Sequence, residues 1–164
     1  MQAGADHGLI NAGYRAIESC RLEKGYRAWG SDIGPDHSPD EAGLGWAVRL
    51  KKNEDFIGRE AVLKQRESGA KKIMATFTVD SPDIILFGRE TIYRNGLQVG
   101  WLSSGGYGYT IGKYIGYGYV RHDQPIDNDF VLEGNYELEV ATERVPCKVH
   151  LQPLYDATMS RVKM

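Results

Sequence analysis

The chain has 164 residues, of which 41% are hydrophobic and 26% charged, and its formal net charge is −2. That length supports one full domain or two small ones sharing an interface, with a core of useful size. The slight acidity argues against nucleic acid as the main partner, because phosphate binding draws on a basic surplus.

The first predicted element is a helix from Asn11 to Lys24. Asn11 is a good N-cap, and Gly25 sits where a helix commonly stops. Tyr14, Ile17 and Cys20 fall near one face, with Arg15, Glu18 and Arg21 off it. Residues 30–39 are rich in Gly, Pro, Ser and Asp and read as a loop. Gly45 to Leu50 alternates well enough to be a strand. Phe56 to Ser68 forms a second helix, closed by Gly69.

The character changes near Ala70. Ile73, Ala75, Phe77 and Val79 alternate with Met74, Thr76 and Thr78, which is strand spacing. Residues 91–94 and 97–101 flank Asn95-Gly96, a strong hairpin signal because both turn positions tolerate positive φ. Further strands follow at about 114–120, 136–140 and 145–151. Short strands at such intervals favour a small barrel or sandwich. The expected class is therefore α+β: an α+β segment over residues 1–70, then a small antiparallel β-barrel over 71–164.

Cys20 and Cys147 lack a CxxC spacing, and His7, His37, His122 and His150 lack HxH or HExxH spacing. No metal site or disulfide framework follows, and two buried thiols in a reducing compartment are expected. No apolar run approaches the ~20 residues of a membrane span. The first six residues, Met1 to Asp6, lack the basic and apolar regions of a signal peptide. A soluble intracellular protein with no membrane partner is the expectation.

Candidate sites carry competing readings. Glu23 lies in the last turn of the first helix, where a carboxylate meets the negative end of the helix dipole at a cost of up to about 1 kcal/mol. It is either functional or part of a surface cluster with Arg21 and Lys24. Trp29 and Asp32 share a backbone-permissive loop that could stack on a flat ring and accept its N–H groups. The favoured alternative makes Trp29 a core anchor and Asp32 a turn cap. Residues 105–112 nearly imitate a dinucleotide-binding glycine run, but the spacing and context are wrong. They read as a turn and barrel segment in which glycine lets strands bend. Ser103 and Ser104 lack the GxSxG elbow. Arg59 and Arg89 either grip a carboxylate or form structural ion pairs.

Local strings add to this. Arg21-Leu22-Glu23-Lys24-Gly25, followed by Gly30-Ser31-Asp32-Ile33, resembles the RLExG…GxD segment of the glycine cleavage aminomethyltransferase family. Ser38 to Leu44 resembles its TPxEAGL segment, and Phe56 to Ala61 its FIGxEA helix start. Residues 92–96 and 116–120 look like its C-terminal barrel strands. These matches keep their order and cover almost the whole chain. The wording of residues 13–19 and 23–29 is nearest to the folate-binding C-terminal part of the sarcosine and dimethylglycine dehydrogenases.

That resemblance implies tetrahydrofolate as cofactor. It places Glu23 against the pterin ring, where two N–H groups of an aminopyrimidinone match two carboxylate oxygens. Tyr26 and Trp29 would line the pocket, and Arg59 or Arg89 would meet the glutamate tail. It implies no catalytic residue within this stretch. The family's catalytic aspartate and the FAD domain of the dehydrogenases would belong to an upstream part, a partner in cis or in trans. This chain would then be a fragment, inactive by itself. The resemblance also implies the mitochondrial matrix in a eukaryote and the cytoplasm in a bacterium. Two rivals share the architecture: a non-catalytic interaction module like the pyruvate dehydrogenase phosphatase regulatory subunit, and an aminomethyltransferase acting on a carrier protein.

Overall fold

The computed structural model describes residues 2–52 and 54–164. Six strands form a closed barrel in the order β1-β4-β3-β2-β5-β6, and every pairing is antiparallel. They are β1 (Ala70–Val79), β2 (Thr91–Arg94), β3 (Leu97–Gly108), β4 (Lys113–Ile126), β5 (Tyr136–Val140) and β6 (Glu143–His150). The predicted alternation of β1 is realised: Ile73, Ala75, Phe77 and Val79 all enter the barrel core. Ile92, Leu102, Val120 and Leu138 meet them from the other strands, and Phe77 packs edge-on against Tyr136 at 5.4 Å.

The Asn95-Gly96 hairpin also forms, with both turn residues at positive φ (51° and 82°). That conformation matches the right-handed twist of the flanking strands. A one-turn helix, α3 (Asn128–Leu132), was not anticipated, since a single turn carries no readable period. Asp127 caps it by accepting the Phe130 N–H at 2.8 Å, and the helix inserts Val131 into the core.

The helices before the barrel differ from expectation in detail. The first, α1 (Tyr14–Lys24), starts at Tyr14 with Gly13 as N-cap, not at Asn11. Gly25 ends it in the left-handed conformation at φ 78°, as its position suggested. The expected apolar face is not the docking face: Tyr14, Ile17 and Cys20 are exposed. Leu22 and Glu23 are buried instead, and Ser19 donates to the Tyr107 carbonyl at 2.8 Å. Positions 19, 22 and 23 share a face by the same helical period, but two of them are polar.

Residues 45–50 are not a strand. Gly45–Ala47 is a single 3-10 turn with Trp46 on the surface. Alternation is insufficient here because no strand among the described residues pairs with it. The second long helix, α2 (Arg59–Ser68), lies between Gly58 and Gly69, both at positive φ. The chain passes directly from Gly69 into β1, and Met74 N–H donates to the Glu41 carbonyl at 2.8 Å. Among the described residues, no helix is long and apolar enough to cross a membrane.

Candidate functional site

Glu23 is the centre of the contact between α1 and the barrel. It is 4% exposed, and its Oε1 accepts the N–H groups of Thr110 at 2.6 Å and Ile111 at 3.0 Å. These belong to the turn joining β3 to β4. Two bonds occupy both lone pairs of Oε1. Oε2 has no hydrogen-bond partner among the described residues, and it is not among the sealed, unpartnered polar atoms. The backbone carbonyl of Glu23 accepts from Tyr155 N at 3.0 Å, drawing the C-terminal segment onto the same spot.

The glycine run opposite is the seat of this helix. A Cβ at Gly108 would lie 2.6 Å from Ile115 Cδ1 and 3.0 Å from Glu23 Oε1, and one at Gly106 2.9 Å from Leu22 Cδ1. Real Cβ atoms essentially never approach below 3.0 Å. Glycine here makes room for an isoleucine, a carboxylate and a leucine.

Asp32 is the second buried carboxylate, at 0% exposure. Its Oδ2 accepts from Ala28 N at 2.9 Å, so the turn-capping role is present. The same oxygen pairs with Arg21 at 2.8 Å, while Oδ1 accepts from Ser103 at 2.5 Å and Ser104 at 2.7 Å. Arg21 also donates to Ser104 Oγ at 2.8 Å and lies over the Tyr117 ring. Two phenols complete the clamp. Tyr117 donates to the Leu22 carbonyl at 2.5 Å, and Tyr119 to the Asp32 carbonyl at 3.0 Å. Burial pushes the Tyr117 hydroxyl up to about 12 and the Tyr119 hydroxyl higher still, so both stay neutral donors. The sequence did not mark Ser103, Ser104, Tyr117 and Tyr119 as partners of α1 and its loop. The only available signal was that polar residues interrupt an otherwise apolar barrel pattern.

The remaining candidates disperse. Tyr26 is half-exposed and lines a cavity of about 660 Å³ with Lys24, Arg27, Leu44, Trp46 and Met159. Lys24 closes one side of it through Asp156, at 2.8 Å. The Lys24 and Ser160 hydrogen bonds hold the Asp156 carboxyl well below the usual carboxylate range. Trp29 is 73% exposed, so it is not the core anchor that was favoured for it, and it does not line this cavity. Arg59 begins α2 and donates to the Leu50 carbonyl at 3.2 Å, away from the cavity lining. Arg89 adopts φ 82° and makes no ion pair among the described residues. Cys20 is exposed, correcting the expectation of two buried thiols, and Cys147 is half-buried. Burial, then the Glu137 charge, pushes the Cys147 thiol up to about 12.

A helix C-terminus locked by a carboxylate onto a six-stranded barrel, in this chain order, defines a recognisable class. Residues 72–156 match the glycine cleavage T-protein C-terminal barrel domain, and residues 1–52 match the GCVT N-terminal domain. The chain belongs to the glycine cleavage T-protein family. Among its relatives, mitochondrial sarcosine dehydrogenase of Mus musculus is 46% identical over 165 residues, covering 99% of this chain and 18% of that protein. The mitochondrial pyruvate dehydrogenase phosphatase regulatory subunit of Mus musculus is 37% identical over 94% of this chain and 19% of its own length. The crystal structure of the glycine cleavage system aminomethyltransferase T from Bartonella henselae superposes with a TM-score of 0.75 at 25% identity. That match covers 89% of this chain and 40% of that one. The chain thus spans about a fifth of the length of the curated relatives named here.

Proposed function

We propose that this chain is the folate-facing C-terminal part of a sarcosine dehydrogenase-like demethylase. It would help transfer a one-carbon unit from an oxidised N-methyl amine to tetrahydrofolate. The observation carrying this reading is Glu23, a buried carboxylate at a helix C-terminus with one oxygen still free to accept. Burying a charge against the helix dipole is unfavourable and calls for a compensating role. The residues suit a pterin in one respect and depart from the sequence expectation in another. Oε1 is committed to the β3–β4 turn, so Oε2 is the acceptor left for a ring N–H, and the turn holds that oxygen in place.

Tyr26 would flank the ring from the neighbouring cavity. Trp29 and Arg59 would contribute only alongside upstream residues, since neither lines this cavity. When bound, tetrahydrofolate supplies the N5 nucleophile; this chain's residues orient it and exclude water. Amine oxidation and its FAD would belong to an upstream part; the relatives' names carry the word mitochondrial, which supports the mitochondrial matrix if the source is a eukaryote, against the cytoplasm if it is a bacterium.

The test is calorimetric titration of 5-formyltetrahydrofolate into the wild-type chain and Glu23→Gln, repeated in the full-length parent. Glutamine keeps an acceptor for Thr110 and Ile111 but removes the charge. Binding weakened about tenfold or more is expected. Equal binding by both proteins would sink the reading and favour a non-catalytic module, as in the regulatory-subunit relative.

A further inference from the structure

A cleft of about 870 Å³ in the barrel wall is lined in part by Arg121, Trp101, Leu97, Lys71, Glu41 and Asp123. It shares no lining residue with the Glu23 contact. Arg121 lies about 25 Å along β4 from Lys113, where the turn holding Glu23 ends. Its side chain is on the outward side of the strand, next to the inward-facing Val120. The guanidinium folds back over the Trp101 ring at 4.1 Å and approaches the Tyr119 ring at 5.6 Å. Nη1 donates to the Tyr119 carbonyl at 3.3 Å. Gly100 makes room for this: a Cβ there would strike the Tyr119 carbonyl oxygen and lie 3.0 Å from Nη1. The guanidinium is thus seated on backbone and aromatic rings before any ligand arrives, so little side-chain entropy remains to be lost on binding.

That seat uses one of the five N–H donors of an arginine. Among the described residues no carboxylate lies within ion-pair distance of Arg121 or Lys71. Burial draws the Arg121 pKa below its ordinary value, and the nearby Tyr119 and Glu41 do not restore it. Lys72, opposite Arg121 in the β1–β4 register, is already engaged: it donates to the Asp36 carbonyl at 2.7 Å and lies 3.8 Å from Glu41. Glu41 in turn accepts the Ser38 N–H at 3.0 Å. With His122 neutral, the lining carries three cations, Lys71, Lys72 and Arg121, against two acids, Glu41 and Asp123. One carboxylate balances that surplus, whereas a dianionic phosphate would exceed it and be repelled by both acids. A planar carboxylate also matches the fork of the guanidinium. The apolar part of the lining adjoins that fork: Trp101 is 51% exposed even with Arg121 on its ring, and Leu97 is 73% exposed.

We propose that this cleft binds a small aromatic carboxylic acid, with its carboxylate on the free donors of Arg121 and its ring against Trp101. Lys71 adds a screened attraction at the rim. The carboxylate pair sets the charge requirement and the ring contact sets the preference for a flat ligand. The site is separate from Glu23 and does not rest on the folate reading.

The test titrates 2-naphthoate into the full, nitrogen-15-labelled chain and follows the side-chain N–H signals of Trp101 and Arg121 by NMR. Both signals should shift together, with a Kd below about 1 mM. Cyclohexanecarboxylate, which keeps the charge without the flat ring, should bind about tenfold more weakly, and 2-naphthylmethylammonium should not bind at this cleft. Arg121→Gln should weaken 2-naphthoate by about tenfold or more. Arg121→Lys keeps the charge without the fork and should weaken it by less. Lys71→Gln, an exposed change that leaves the packing alone, should give a smaller loss that disappears as salt is raised. Trp101→Leu should abolish the preference for 2-naphthoate over cyclohexanecarboxylate. No shift up to about 10 mM 2-naphthoate, equal binding of the ammonium, or indifference to Arg121→Gln in a folded variant would overturn the proposal. So would 5-formyltetrahydrofolate that displaces 2-naphthoate and loses its own binding in Arg121→Gln, which would give the cleft to the folate.

Discussion

Glu23 and Asp32 are both buried carboxylates, but their surroundings differ in a way that predicts different responses to substitution. Asp32 receives four donors, one of them the Arg21 guanidinium. Asp32→Asn removes the buried charge facing Arg21, whichever way the amide turns, and leaves Arg21 only the partly exposed Glu18 as ion-pair partner. The expected loss is about 3 kcal/mol, the low end of the range for breaking one side of a buried pair. Glu23 holds two backbone N–H groups with one oxygen, which a glutamine oxygen can also do. Glu23→Gln should therefore cost about 1 kcal/mol or less, and Glu23→Ala about 2–4 kcal/mol, as the Thr110 and Ile111 N–H groups lose their acceptor. Urea denaturation of the three variants checks the ranking; a Glu23→Gln loss equal to that of Asp32→Asn would contradict it. The two thiols separate as clearly. Cys20 is exposed, while burial pushes Cys147 up to about 12. Iodoacetamide at mildly alkaline pH should modify Cys20 and leave Cys147 intact until the protein is denatured, as mass spectrometry of the peptides would report.

At the scale of elements, the legible features were those set by local rules. Asn95-Gly96 was readable because only a few residue types accept positive φ at both positions of a two-residue turn. The left-handed stop at Gly25 and the inward face of β1 follow from equally local constraints. The docking face of α1 was not legible. A hydrophobic count points to Tyr14 and Ile17, whereas the barrel receives Leu22, Glu23 and Ser19. A polar docking face can be recognised only once its partners are known, and those lie 83 to 88 residues away in the chain. Residues 45–50 failed for a related reason: strand alternation states what a strand would bury, not whether a partner exists. The hairpin gives a clean quantitative test. A Cβ at Gly96 would meet nothing within 4 Å, so Gly96→Ala acts through the backbone alone, at φ 82°. A loss of about 1 kcal/mol is expected by thermal or urea unfolding. A neutral result would mean that the turn relaxes to another type.

For the whole molecule, the barrel was visible as a class but its closure was not, because the strand order β1-β4-β3-β2-β5-β6 rests on pairings distant in sequence. The same distance argues for cooperativity. The segment before Ala70 has little apolar core of its own: among the described residues its buried hydrophobics are Leu22 and Ala42, and Leu22 packs with Ile115 and Tyr117 of the barrel. It is held by the Glu23 seat, the Asp32 clamp and two tyrosine hydroxyls, all of which reach into β3, β4 or the turn between them. A segment that depends on the barrel for its core and its polar partners should not unfold as an independent unit. Trp29 and Trp46 report on this segment, and Trp101 reports on the barrel. Single-tryptophan variants, each retaining one of the three, should give coincident urea transitions, and Asp32→Asn should shift all of them together. If instead Trp29 and Trp46 melt well before Trp101, the clamp is a loose attachment.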